Sequence, residues 1–227
     1  GAGTLTISGA CDFTGNTVNA FYVNHSTHTG TWTLATAAVP YYMYNGYTVA
    51  NGSTMVIGSQ NILKFRYATT FDIRGTLTAD AIVGQNIFFT SERDDNWGGD
   101  TNNDGTSTAP ASGNWYGIRF FDESNNASVL RRCKLRYAGY SSIGGISLYD
   151  ANPTIDLCEL QQNYFGALFQ NTSAPTFTNN TIGSSQVTPI AMSFEANPTF
   201  TNNVLSFMDN QYDAIGLLGG TLTALSL

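Results

Sequence analysis

Pro175-Thr176-Phe177-Thr178-Asn179-Asn180 recurs letter for letter, 23 residues later, as Pro198-Thr199-Phe200-Thr201-Asn202-Asn203. Looser copies lie upstream at Pro153-Thr154-Ile155-Asp156-Leu157-Cys158 and Ser128-Val129-Leu130-Arg131-Arg132-Cys133. Four registers, 22 to 25 residues apart, describe a chain that winds in coils, each burying its apolar face against its neighbours. Overlaying the copies gives columns. Leu130, Ile155, Phe177 and Phe200 form one inward column, and Leu135, Leu160, Ile182 and Leu205 a second. Between them runs Cys133, Cys158, Asn180 and Asn203. The segments are short, alternating or β-branched, and bounded by Asn, Pro, Gly and Ser, which is the signature of strands joined by turns. A coil of this length has no room for two helices of about ten residues each.

Parallel pairing of successive coils would set equivalent residues about 4.8 Å apart, with a right-handed crossover favoured by strand twist. The prediction is an all-β fold: a single right-handed parallel β-helix of about ten coils, roughly 45 to 50 Å long. Pro153, Pro175 and Pro198 fall at strand starts, where a missing N–H is tolerated. Asn180 and Asn203 are expected to satisfy their amides by bonding to one another and to the turn backbone. The string Gly-Thr-Leu-Thr occurs at Gly3–Thr6, Gly75–Thr78 and Gly220–Thr223, with Gly30-Thr31-Trp32-Thr33 as a variant. Its presence at both ends predicts one unit over 1–227. Regular coils span 48–224, an acidic loop is inserted at 92–113, and 1–47 forms N-terminal coils or a cap.

Charged residues make up 11% of the 227, Lys occurs only at Lys64 and Lys134, and the net charge is −7. Nucleic acid is an improbable partner for such a surface, because phosphate binding needs clustered Lys and Arg. The one basic cluster, Arg131, Arg132, Lys134 and Arg136, reads as a solvated strand face, since alternation sets it opposite inward Leu135. No apolar run approaches the 18 or so residues that cross a membrane. No initiator Met or signal-peptide pattern is visible, so the chain reads as a processed product or part of a longer one. The weakly charged, turn-rich composition suggests a secreted, extracellular protein. Cys133 and Cys158 share a column, but stacked side chains in parallel register aim poorly for a disulfide, so two buried thiols are expected. Cys11 has no partner.

The stretch without apolar period carries the densest oxygen ligands. Asp100, Asn102, Asp104 and Gly105 occupy positions 1, 3, 5 and 6 of a calcium loop, and Thr106 would supply the carbonyl at position 7. Position 12 is Ala111 where a bidentate Glu is expected, leaving Asp94, Asp95 or Glu92 as the closing ligand. The other reading is an Asn/Asp-rich surface loop held by side-chain-to-backbone turns. His25 and His28 form an H-x-x-H without a third ligand and read as exposed loop residues. Tyr41, Tyr42, Tyr44 and Tyr47, with Trp97 and Trp115 flanking the acidic loop, suit stacking on a glycan or a protein partner. The plainer reading is that they pack over the coil as a cap or cover. Catalysis on polysaccharide would need paired carboxylates or a basic residue. The available carboxylates, Asp94, Asp95, Asp100 and Asp104, all fall on one loop. The Gly-His-Gly and Arg-Ile-Lys strings of polygalacturonases are absent, and two lysines leave the basic cluster of pectate lyases without a counterpart.

Arg74-Gly75-Thr76-Leu77-Thr78-Ala79, Ile87-Phe88-Phe89-Thr90-Ser91, Asp94-Asp95, Gly98-Gly99-Asp100-Thr101-Asn102-Asn103-Asp104-Gly105 and Gly113-Asn114-Trp115-Tyr116-Gly117-Ile118 carry a family likeness. Together they resemble right-handed parallel β-helix repeat proteins of bacterial cell surfaces, over about residues 48–224. The resemblance implies a secreted scaffold at the cell surface, an acidic insertion between two coils, and a role in adhesion or surface structure. The function expected is a non-enzymatic structural or adhesive β-solenoid. Its ends would meet other copies or flanking parts of a longer chain, with surface polysaccharide as a further partner. A polysaccharide-degrading enzyme or a glycan-binding module is the alternative.

Overall fold

The computed structural model describes residues 3–4, 15–207 and 209–219. Among the described residues the chain consists of strands and turns, without helix, in three parallel sheets of eight strands. The first sheet stacks Gly3–Thr4, Thr31–Leu34, Thr54–Ile57, Thr76–Asp80, Val129–Arg131, Thr154–Asp156, Thr176–Thr178 and Thr199–Thr201. The second stacks Phe21–Val23, Tyr41–Met43, Ile62–Phe65, Ile87–Ser91, Cys133–Arg136, Glu159–Gln161, Thr181–Gly183 and Val204–Phe207. The third stacks Thr27–His28, Tyr47–Val49, Phe71–Ile73, Ile118–Phe120, Gly144–Tyr149, Phe165–Gln170, Ile190–Met192 and Ile215–Leu217. Each coil visits the three sheets in that order, giving a right-handed parallel β-solenoid of about eight turns. About ten were expected. The difference arises because residues 92–117 leave the coil as one long excursion between Ser91 and Ile118. Eight rungs span about 34 Å.

The predicted columns stack as read. Leu130 pairs with Ile155, Ile155 with Phe177 and Phe177 with Phe200. Leu135 pairs with Leu160 and Leu160 with Ile182, after which the ladder shifts between Thr181 and Gly183. The interior is one continuous apolar cluster from Leu34 to Ala196. Gly3 and Thr4 pair with Trp32 and Thr33, so this copy of Gly-Thr lies two residues out of register with Gly30-Thr31. Leu5, Thr6, Cys11 and Gly220-Thr221-Leu222-Thr223 lie outside the described residues.

Corners between sheets are made by single left-handed residues. Arg132, Leu157, Asn179 and Asn202 have φ between 53° and 55° and join the first sheet to the second. Asn suits such a site because its short polar side chain tolerates the left-handed region. The residue after each corner points inward, where two backbone groups need partners. Asn180 supplies both: its Oδ1 accepts from Cys158 N (2.9 Å) and its Nδ2 donates to Ile155 O (3.0 Å). Asn203 repeats this one coil on, with Asn180 N (2.9 Å) and Phe177 O (2.8 Å). The inward amides therefore bond to the preceding coil's backbone rather than to one another. Amide-to-amide bonding occurs in the exposed neighbouring column, from Asn202 Nδ2 to Asn179 Oδ1. Cys133 and Cys158 are free, buried thiols whose Sγ reaches the equivalent carbonyls of Ala79 and Leu130.

The basic cluster is neutralised by charges one coil away. Arg131 pairs with both Asp80 and Asp156, while Lys134 and Arg136 share Glu159. Arg131 and Lys134 stand in parallel register with their carboxylates and face them along the rod axis, while Arg136, in register with Gln161, reaches Glu159 diagonally.

Candidate functional site

Residues 92–104 fold back over the outer face of the second sheet. Lys64 lies on that face, between core residues Leu63 and Phe65, yet it is fully buried because the loop covers it. Its Nζ donates to the Gly99 carbonyl. Trp97 packs edge-on against Phe88 at 4.8 Å, and the Arg136 guanidinium lies 4.2 Å over the Trp97 ring. Thr101 O accepts from Asn19 N (3.2 Å), tying the loop to the first coils. The loop returns to the core at Asn114 and Trp115. Gly117, at φ 97°, makes the re-entry, and a Cβ there would collide with the Gly145 carbonyl.

Within the loop, Asp100 accepts from Asp104 N (3.1 Å) and Gly105 N (2.8 Å), and Asp94 accepts from Thr90 Oγ1 (2.6 Å) and Asn96 N (3.2 Å). Asp104 Oδ2 accepts from Asn102 Nδ2 at 2.8 Å. One buried oxygen each of Asp95, Asn102 and Asp104 has no hydrogen-bond partner. Thr106 is exposed. Among the described residues no group of three or more His, Cys, Asp or Glu side chains is gathered as a metal site. The loop is held by its own side-chain-to-backbone turns, and the cation set against Asp94, Asp95 and Asp100 is Lys64, which the sequence reading did not single out. The available signal was a lone lysine inside the apolar strand Ile62–Phe65.

Burial pushes the Lys64 ammonium from the ordinary 10.5 down to about 8, against the pull of Asp94, Asp95 and Asp100. Burial and the Asp100 charge raise the Asp95 carboxyl. Because the folded Lys64 releases its proton before the unfolded one, the unfolded chain binds more protons between pH 8 and 10.5. Stability therefore rises with pH through that window, by about 3 kcal/mol at most. Above pH 10 the tyrosinates oppose it, since burial raises Tyr42 and Tyr47 and holds them protonated in the fold. Urea titrations from pH 7.5 to 9.5 should show this gain relative to Lys64→Met. Parallel pH profiles of the two proteins would refute the assignment.

The aromatic residues divide differently from expectation. Tyr41, Tyr47 and Trp115 are core residues: Tyr47 sits between Trp32 and Phe71, and Trp115 stacks on Phe65 at 4.0 Å with the two rings nearly parallel. Tyr42 is buried on the outer face, its hydroxyl donating to Glu92. These four offer no ring to a ligand, because strand alternation and loop cover enclose them. Tyr44 and Trp97 remain half-buried. His28 is also buried, its Nε2 at 3.1 Å from Thr54 O, whereas His25 is exposed.

A different set of rings faces outward along the corner between the second and third sheets. Tyr22 lies 5.0 Å from Tyr44, and Arg66 lies 4.3 Å over the Tyr44 ring. Tyr67 contacts Tyr140 at 5.5 Å, and Tyr140 contacts Tyr116 at 4.9 Å. Arg93 lies 5.0 Å over Tyr67. Tyr22 and Tyr67 are 47% and 48% exposed, enough to offer open ring faces. The sequence hides this strip because its members belong to successive coils of unequal length.

Residues 101–224 match the family model described as right handed beta helix region, more than half of the chain. The chain belongs to the right-handed β-helix family. No curated protein and no solved structure matches it. In this β-helix no helix among the described residues is long and apolar enough to cross a membrane.

Proposed function

We propose that this β-helix is a non-enzymatic structural and adhesive segment of an extracellular, cell-surface fibre, stacked end to end through its C-terminal rung. The supporting observation is the exposure of that rung. Phe200, Ile215 and Leu217 are 37%, 40% and 56% exposed, while Phe177 and Ile190, one coil earlier in the same columns, are fully buried. A solenoid end presents unpaired strand edges and an open core, which a further parallel coil would cover. The acidic carboxylates support the non-enzymatic reading. Asp94 is buried with both oxygens bonded, and both oxygens of Asp100 accept backbone N–H groups.

Sedimentation velocity across a concentration series tests the stacking. The chain should associate reversibly, and Ile215→Asp with Leu217→Asp should leave a folded monomer. A wild-type chain that stays monomeric at every concentration contradicts the proposal.

A further inference from the structure

Among the described residues, threonine repeats rung after rung on the outer face of the first sheet alone. From Thr33 to Thr199 one outward column, paired without a register shift, holds threonine at every rung except Val56 and Val129. Two residues earlier on their strands, Thr31, Thr54 and Thr76 form a second column. On the other side Thr178 and Thr201 continue a third, which begins with Asp80, Arg131 and Asp156. The residues between the columns, such as Met55, Leu77 and Phe177, are fully buried, so alternation turns each threonine outward. Strand propensity alone would enrich threonine on all three sheets. The central column of the third sheet instead runs Thr48, Asp72, Arg119, Ser147, Leu168 and Ala191. The acidic loop lies over the second sheet, whereas Thr31, Thr176, Thr199 and Thr201 of the first are exposed.

We propose that this face binds ice. Rungs lie about 4.8 Å apart and alternate residues of one strand about 6.6 Å apart, so the columns form a rectangular grid of methyl and hydroxyl groups. Those repeats lie close to the oxygen repeats on a prism face of ice, so one grid can meet a crystal surface at many points together. Threonine and valine are stiff at χ1, which fixes the grid before contact and leaves little side-chain entropy to lose. A protein partner fits the face less well. Protein interfaces centre on aromatic, Met or Arg anchors, and the two columns of threonine and valine have none. The charges of the third column are paired with one another, Arg131 with both Asp80 and Asp156, and stand beside the grid. The inference does not rest on end-to-end stacking.

Thermal hysteresis and inhibition of ice recrystallisation test the assignment on the intact chain. The wild-type protein should show both. Thr78→Tyr and Thr176→Tyr each set a bulky ring on the grid and should remove most of the hysteresis. Gln186→Tyr, at an exposed position between the second and third sheets, should leave it unchanged. All three side chains face outward, so melting temperatures matching the wild type will show that the variants fold. A wild-type protein with neither hysteresis nor an effect on recrystallisation would overturn the proposal, as would hysteresis that survives both threonine substitutions. Self-association that the same two substitutions abolish, without any ice activity, would also overturn it and assign the face to lateral contact between copies.

Discussion

Asn180→Leu is expected to lower the melting temperature by roughly 10 °C, although the two side chains are similar in size. Asn180 is fully buried, and it satisfies the Cys158 N–H and the Ile155 carbonyl together. Leucine fills the space and bonds neither group. Each orphaned buried group costs about 1–3 kcal/mol, and a kcal/mol moves the midpoint of a chain this long by about 2–4 °C. The order of a short series follows from the same geometry. Asn180→Cys should lose less than Asn180→Leu, because a thiol can still donate to Ile155 O as Cys158 does to Leu130 O. Asn180→Asp should be worse than Cys, since a carboxylate cannot donate to a carbonyl and its charge would be buried. Hydrogen exchange should report the damage at Ile155 and Cys158 first, because each coil depends on its immediate neighbours. Equal melting temperatures for Leu and Cys variants would show that the corner amide is filling space only.

The inward columns and the corner asparagines were legible because they repeat at a fixed interval, and stacking in parallel register turns repetition directly into contact. Phe177 over Phe200 needed no other information. The identity of the inward polar column was equally open to reading, although its partners were not. Asn180 bonds backward to the Cys158 N–H because the left-handed residue Asn179 turns it inward, and a sequence shows no φ. The site was less legible for a physical reason. Burial at Lys64 and Tyr42 is set by a loop arriving from a later coil, and Trp115 is buried where that loop re-enters the core; non-repeating segments leave no periodic trace. Tyr41-Tyr42-Met43-Tyr44 illustrates the limit: alternation places Tyr41 and Met43 inside, but only the Glu92 contact explains why Tyr42 is covered. The ring contacts of Arg66 and Tyr67 likewise join residues from four different coils.

Trp115→Ala should destabilise the fold by about 3–5 kcal/mol, the largest effect expected of any single side chain here. The indole is fully buried, stacked on Phe65, and donates from Nε1 to Arg136 O at 2.9 Å. Its backbone makes a lone parallel bridge with Ala138, so this residue anchors the acidic loop where it re-enters the coil. Removing the ring leaves a cavity beside Phe65 and frees the loop's C-terminal attachment. Trp115→Phe keeps an aromatic against Phe65 but orphans the Arg136 carbonyl, so it should cost about 1–3 kcal/mol. Denaturant unfolding gives both values, and loss of the most blue-shifted tryptophan emission would mark the wild-type environment, since Trp32 and Trp97 are only half-buried. A second readout ties the anchor to Lys64. If the loop loosens, water reaches the ammonium, its pKa returns toward 10.5, and the gain in stability above pH 8 disappears in Trp115→Ala as it does in Lys64→Met. A Trp115→Ala protein that keeps that pH profile would show that the loop holds its place over the second sheet without the indole.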